Sequence, residues 1–138
     1  MRKLILMLLL AVVSLDVMAE WIGGWKMLGS SGGEMTLYVN PSTLDKEGKT
    51  TKIWYMKDYK SVQEEASDKY MSISFQGEYD CKESKGRTLS YIWYSGHKGS
   101  GNVIHTEETP DDWRSVVSGS VQESVFKYAC DRKWWQWW

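Results

Sequence analysis

The sequence predicts an α+β domain: an antiparallel β-sheet meander followed by a C-terminal helix that a disulfide ties to one sheet face. Three observations carry this. Apolar and aromatic residues alternate with period two through most of the central chain. Short turn signals, too short for crossover connections, separate the runs and select antiparallel neighbours. The period lengthens to that of a helix only near the end, where the second of two cysteines sits.

The first strand is expected over Glu34–Asn40, with Met35, Leu37 and Val39 on one face, closed by a turn at Pro41-Ser42. Lys46-Glu47-Gly48 marks a second turn before Thr50–Asp58. That strand carries Ile53, Trp54, Tyr55 and Met56 in succession, so both faces are apolar, as in a central strand. Tyr59–Asp68 is polar and reads as a loop. The clearest strand follows: Met71, Ile73, Phe75, Gly77, Tyr79 and Cys81 share one parity, and Ser72, Ser74, Gln76, Glu78 and Asp80 the other. Period two places Cys81 on the apolar face. After Lys85-Gly86, the run Arg87–Ser95 presents Leu89, Tyr91 and Trp93, and beyond the glycines at 96, 99 and 101 a short final strand is expected over Gly101–Thr106. Ser120 and Glu123 then form an S-x-x-E capping box. Val121, Val125 and Ala129 recur at helical spacing, with Phe126 and Cys130 on the flank, so a helix is expected over Val121–Asp131. Cys81 on the apolar face must meet the end of this helix.

The beginning of the chain reads differently. Arg2 and Lys3 precede the apolar run Leu4–Val13, and Val17-Met18-Ala19 supplies the small residues of a cleavage site, the pattern of a secretory signal peptide over 1–19. The expected exported product is one domain, 20–138, with a Trp-rich tail at 132–138. Of 17 basic and 18 acidic side chains, those beyond residue 19 number 15 and 17. This balance argues against nucleic acid as a partner, which calls for a clustered positive surface. In an exported protein two cysteines, Cys81 and Cys130, read as a structural disulfide. No CxxC pair gives them a redox role.

Four motifs recur here in the order found in the surface-adhesin protein E-like family of Gram-negative exported proteins: Tyr38-Val39-Asn40-Pro41-Ser42; Trp54 with Asp58-Tyr59; Tyr79-Asp80-Cys81 followed by Arg87; and the run from Trp113 through Gly119-Ser120 to Cys130. The chain resembles that family from about Trp25 to Cys130. The resemblance implies an antiparallel sheet with a disulfide-held C-terminal helix. It also implies a place at the cell surface or in the periplasm, and adhesion to host proteins such as matrix and serum components. Ser118 departs from the proline that commonly precedes the family's Gly-Ser pair, and the tail after Cys130 extends past the usual family end.

Several side chains are candidates for function. Trp134, Trp135, Trp137 and Trp138 surround Gln136 just after Arg132 and Lys133. Such a segment suits contact with a membrane surface, wall or partner. It also suits packing back on the sheet, or a homodimer contact. Asp80 and Arg87 are expected to form a cross-strand ion pair beside the disulfide, and Trp54 and Trp93 to pack in the core or on a sheet face. His97 and His105 flank a Gly-rich turn but lack the ligand spacing of a zinc site. No nucleophile elbow, P-loop or dinucleotide fingerprint is present. No catalytic residue, cofactor or metal is therefore assigned. The expected function is a non-enzymatic binding module for a host or envelope macromolecule, with a periplasmic accessory factor or a small carboxylate hydrolase as alternatives.

Overall fold

The computed structural model describes residues 21–22 and 24–131. The expected signal peptide at 1–19 and the Trp-rich tail at 132–138 lie outside the described residues. Eight strands form one antiparallel sheet: β1 (Trp21–Ile22), β2 (Trp25–Ser31), β3 (Met35–Glu47), β4 (Thr50–Glu65), β5 (Asp68–Asp80), β6 (Lys85–Tyr94), β7 (Val103–Glu107) and β8 (Arg114–Ser115). The first seven pair in sequence order, and β8 pairs with the start of β6 beside β7. The predicted meander is therefore the observed one. A single α-helix, α1 (Val121–Cys130), closes the described chain.

Helix and sheet meet where the alternation placed them. Leu37, Val39, Ile53, Tyr55 and Tyr79 form one buried cluster with Val125 and Ala129 of α1. We call this side of the sheet the helix face. The Cys81–Cys130 disulfide joins the end of β5 to the end of α1, with a Cα separation of 5.6 Å. The capping box forms with a one-residue offset. Ser120 Oγ accepts the Glu123 N–H at 3.2 Å, but the Glu123 carboxylate accepts from Gly119 N–H at 3.3 Å. Tyr79 lies flat against its own sheet, because only Gly77 and Gly86 leave room for it. A Cβ at Gly77 would stand 2.7 Å from the Tyr79 hydroxyl oxygen, and one at Gly86 2.8 Å from its ring.

Four local expectations are corrected. Tyr59–Asp68 is strand: β4 runs on to Glu65 and turns through Ala66 and Ser67, both at positive φ, into β5. Its polarity reflects a ribbon that extends beyond the core, where even Val62 is 56% exposed. Pro41-Ser42 does not reverse the chain. It sits in an irregularity of β3 between Asn40 and Asp45, where a proline interrupts no ladder bond. Leu89 falls in a register shift of β6, and so does not simply continue the Tyr91–Trp93 alternation. Finally, β1 and β2 precede the first strand expected, and β8 follows the last.

Part of the second face is covered as well. The segment around the 3-10 turn His97–Gly99 folds over it: Ser72 Oγ donates to Gly96 C=O at 2.7 Å and accepts from Gly99 N–H at 2.9 Å. Asp58 accepts from Lys98 N–H at 2.8 Å and meets His97 Nδ1 at 3.2 Å. Ser72 and Ser74 on the polar parity of β5 are therefore buried. Position 72 is a serine because the loop's backbone needs a small hydrogen-bonding partner there.

Candidate binding surface

The register of β3 to β7 lays out the helix face as transverse rows. One row is Val39, Tyr55, Phe75, Tyr91 and Glu107, and the next is Leu37, Lys57, Ile73, Trp93 and His105. The helix packs over the Val39–Tyr55 end of the first row and over Tyr79; Tyr91, Trp93 and His105 lie outside its core cluster. The rings run from the buried Tyr55 into a half-open stretch at Phe75, Tyr91 and Trp93, with Tyr70 buried beside it. Tyr55 stacks on Phe75 with ring centroids 5.0 Å apart, and Phe75 approaches Tyr91 at 6.1 Å. Tyr91 stacks on Trp93 at 6.3 Å, Trp93 meets Tyr70 at 4.7 Å, and Tyr70 meets Tyr59 edge-on at 5.9 Å. His105 lies against both Trp93 and Tyr91, at 5.3 and 5.8 Å. Phe75, Tyr91 and Trp93 are half-buried and His105 is exposed. Paired rings of this kind contribute about 0.5–1.5 kcal/mol each beyond burial.

Charged groups flank this surface: Lys57 stands beside Phe75, and burial, reinforced by Glu107, Asp111 and Glu65, raises the Tyr91 pKa. Lys57 stands between Leu37 and Ile73, with its Nζ 5.2 Å from the centroid of Phe75. Burial pushes its pKa below the ordinary lysine value, and no carboxylate offsets this. Glu107, at the far end of the neighbouring row, is held below the usual carboxylate range by hydrogen bonds from Thr109.

A cavity of about 290 Å³ opens beside this face, where Gly86, Thr88, Asp111, Arg114, Ser120 and Gln122 converge. Gln122 is committed: its Oε1 accepts from the Tyr79 hydroxyl at 2.8 Å, and its Nε2 donates to the Tyr55 hydroxyl at 2.7 Å. Burial pushes Tyr55 up to about 12 and raises Tyr79 further. Both phenols are structural pins between helix and sheet rather than acid–base groups at neutral pH.

The structure separates several residues that the sequence placed together. Arg87 pairs with Glu78 at 2.8 Å, not with Asp80, because the register sets Glu78 opposite Arg87 and Asp80 opposite Lys85. Asp80 instead accepts the N–H groups of Lys82 and Glu83 in the turn. Arg87 also lies over Trp113, at 4.6 Å. His97 and His105 sit on opposite faces, the first on Asp58 and the second on Trp93. Trp93 is part of the ring row. Trp54 lies opposite Asn40 and Gln76, half-buried on the other face. The parity of Tyr91 and Trp93 signalled two members of the row. Tyr59, Tyr70, Lys57 and His105 join it only through register.

Solved structures with this architecture exist. Crystal form II of Haemophilus influenzae protein E matches with a TM-score of 0.61 at 9% identity, covering 79% of this chain and 88% of that one. Protein E from non-typeable Haemophilus influenzae matches with a TM-score of 0.55 at 11% identity, over 81% and 78% of the two chains. At such identity the likeness is one of fold. No curated protein matches the sequence. The family model described as surface-adhesin protein E matches residues 25–131, essentially the whole described domain. With its meander, its disulfide-held helix and that match, the chain belongs to the surface-adhesin protein E family.

Proposed function

We propose that the protein is an exported, non-enzymatic binding module of the adhesin kind, and that it engages a host or envelope macromolecule through the open aromatic part of its helix face. The observation that carries this reading is the row Phe75–Tyr91–Trp93–His105, half-open beside a helix that covers only the neighbouring part of the same face. Open aromatic rows are costly to leave in water unless something covers them, and anchors of protein interfaces are enriched in tryptophan and tyrosine. Family membership supports the same reading, as does the commitment of Gln122, Tyr55 and Tyr79 to structural hydrogen bonds beside the cavity.

The test is binding of the purified protein to immobilised matrix and serum proteins and to envelope fractions, compared with Tyr91→Ala/Trp93→Ala. Saturable binding that the double substitution weakens at least about tenfold, with an unchanged melting curve, is the expected result. Binding indifferent to both rings would place the contact elsewhere.

A further inference from the structure

The ring row holds one lysine that no described carboxylate pairs. Lys57 is flanked across the sheet by Leu37 and Ile73 and along its strand by Tyr55 and Tyr59, and its ammonium lies over Phe75. Among the described residues it makes no ion pair; the lysines that do, Lys52 and Lys127, have glutamates within 3.4 Å. The nearest carboxylate on the same rows, Glu107, is three strands away, roughly 14 Å at the usual strand spacing. It is engaged by Thr109. A lysine in an apolar field can extend its head to water. Here, however, the head rests on a ring and is partly desolvated, so covering the row would bury an unpaired charge unless the partner supplied the anion.

We infer that this face recognises an acidic, apolar segment of a partner protein, with a carboxylate of the partner on Lys57 and its apolar side chains on Phe75, Tyr91 and Trp93. The inference rests on the reading of the row as the binding face. Two observations select this partner. The surface is a set of sheet rows, whereas sites for small molecules are concave. A neutral glycan that covered the row would leave the Lys57 ammonium desolvated over Phe75 with no counter-charge. Rings around one cation suit carboxylate and hydrocarbon presented together, and Glu107, Asp111 and Glu65, which bear on Tyr91, do not bear on Lys57. Burial of the ammonium strengthens this charge complementarity, because a pair formed there is poorly screened.

The experiment is calorimetric titration of the purified protein with three probes: a synthetic peptide of alternating aspartate and leucine, its lysine–leucine counterpart, and heparin. The acidic peptide is expected to bind saturably and the basic one not at all. Lys57→Met should weaken the acidic peptide about tenfold or more, the scale of a hydrogen bond to a charged group, while Lys57→Arg retains it. Lys57→Met keeps the stem and removes a desolvated charge, so its melting temperature should hold or rise. Equal binding of the two peptides, or indifference to Lys57→Met, overturns the inference. Lys57-dependent binding of heparin without the acidic peptide overturns the choice of a protein partner. Macromolecular binding lost in Tyr91→Ala/Trp93→Ala but kept in Lys57→Met would sink this inference alone. Binding kept in both would sink the binding-face reading itself.

Discussion

At the scale of single residues, the join between helix and sheet is polar at its centre. Gln122 bridges two buried phenols, Tyr55 at 1% and Tyr79 at 0% exposure, in a core otherwise made of aliphatic side chains. Each amide and hydroxyl is satisfied by another, so removing one strands its partner. Tyr55→Phe leaves the Gln122 amide without its acceptor and should cost about 1–3 kcal/mol at neutral pH. It should also change the response to alkali. In the unfolded chain a phenol titrates near pH 10; in the fold burial pushes Tyr55 up to about 12. The fold therefore favours the neutral phenol. This contribution, on the order of 3 kcal/mol, is whole below pH 10 and drains away as pH rises through about 12. Urea unfolding at neutral pH and across pH 10–12 checks both statements. The parent should lose stability steeply over that range and Tyr55→Phe less so, with Tyr79 supplying the remaining slope.

At the scale of elements, α1 is short and weakly held by its own turns. Ten residues are too few to be stable alone, so the disulfide and the Val125–Ala129 contact hold it. The loop closed by Cys81 and Cys130, with a sequence separation of 49, corresponds to about 4 kcal/mol of chain entropy. Cys81→Ser should lower stability on that scale. Hydrogen exchange should rise first over Val121–Cys130, while β3 to β5 stay protected. An unchanged exchange pattern would mean that packing alone docks the helix. This tether was legible in the sequence because two periods and a cap agreed: strand parity put Cys81 inward, helical spacing put Cys130 on the apolar flank, and the capping box fixed the helix start. The β4–β5 ribbon was not legible. Alternation signals a strand only where one face is buried, and Tyr59–Asp68 pairs as a strand with water on most of its surface. The same holds for β2, where Lys26 and Met27 are both exposed. The Asp80–Arg87 expectation failed for another reason. Which residues face each other across a hairpin depends on register, and residue types alone do not set it. The ring row is legible in its parts and illegible as a whole, since its continuity is a product of register across five strands.

At the scale of the whole molecule, the sheet is asymmetric: the 3-10 loop covers the Ser72–Asp58 region of one face, and the helix covers part of the other and leaves the ring row half-open. A binding module needs such a free face directed away from whatever surface carries it, and this gives the tail at 132–138 a role that can be tested. In sequence it follows α1, whose last residue, Cys130, is held at the disulfide end of the sheet, whereas Trp93 and Tyr70 lie toward the other end of β5 and β6. We propose that Trp134, Trp135, Trp137 and Trp138, with Arg132 and Lys133, contact the membrane surface, the wall or a partner, and so leave the row free. Indoles and basic groups together suit the boundary between apolar and aqueous phases. Deleting Trp134 to Trp138 should then leave the melting transition within about 0.5 kcal/mol, the range of surface changes, while sharply reducing co-sedimentation with vesicles that contain anionic lipid. Binding through the row should be untouched. If the tail instead packs over the rings, the deletion would destabilise the fold and open the row, so binding of the acidic peptide would strengthen as vesicle binding stayed constant. If the tail joins two copies, the deletion would change the sedimentation coefficient and neither binding. Protease treatment of intact expressing cells completes the argument: digestion of the domain before lysis would show the open face directed outward, and protection until lysis would direct the search to partners inside the envelope.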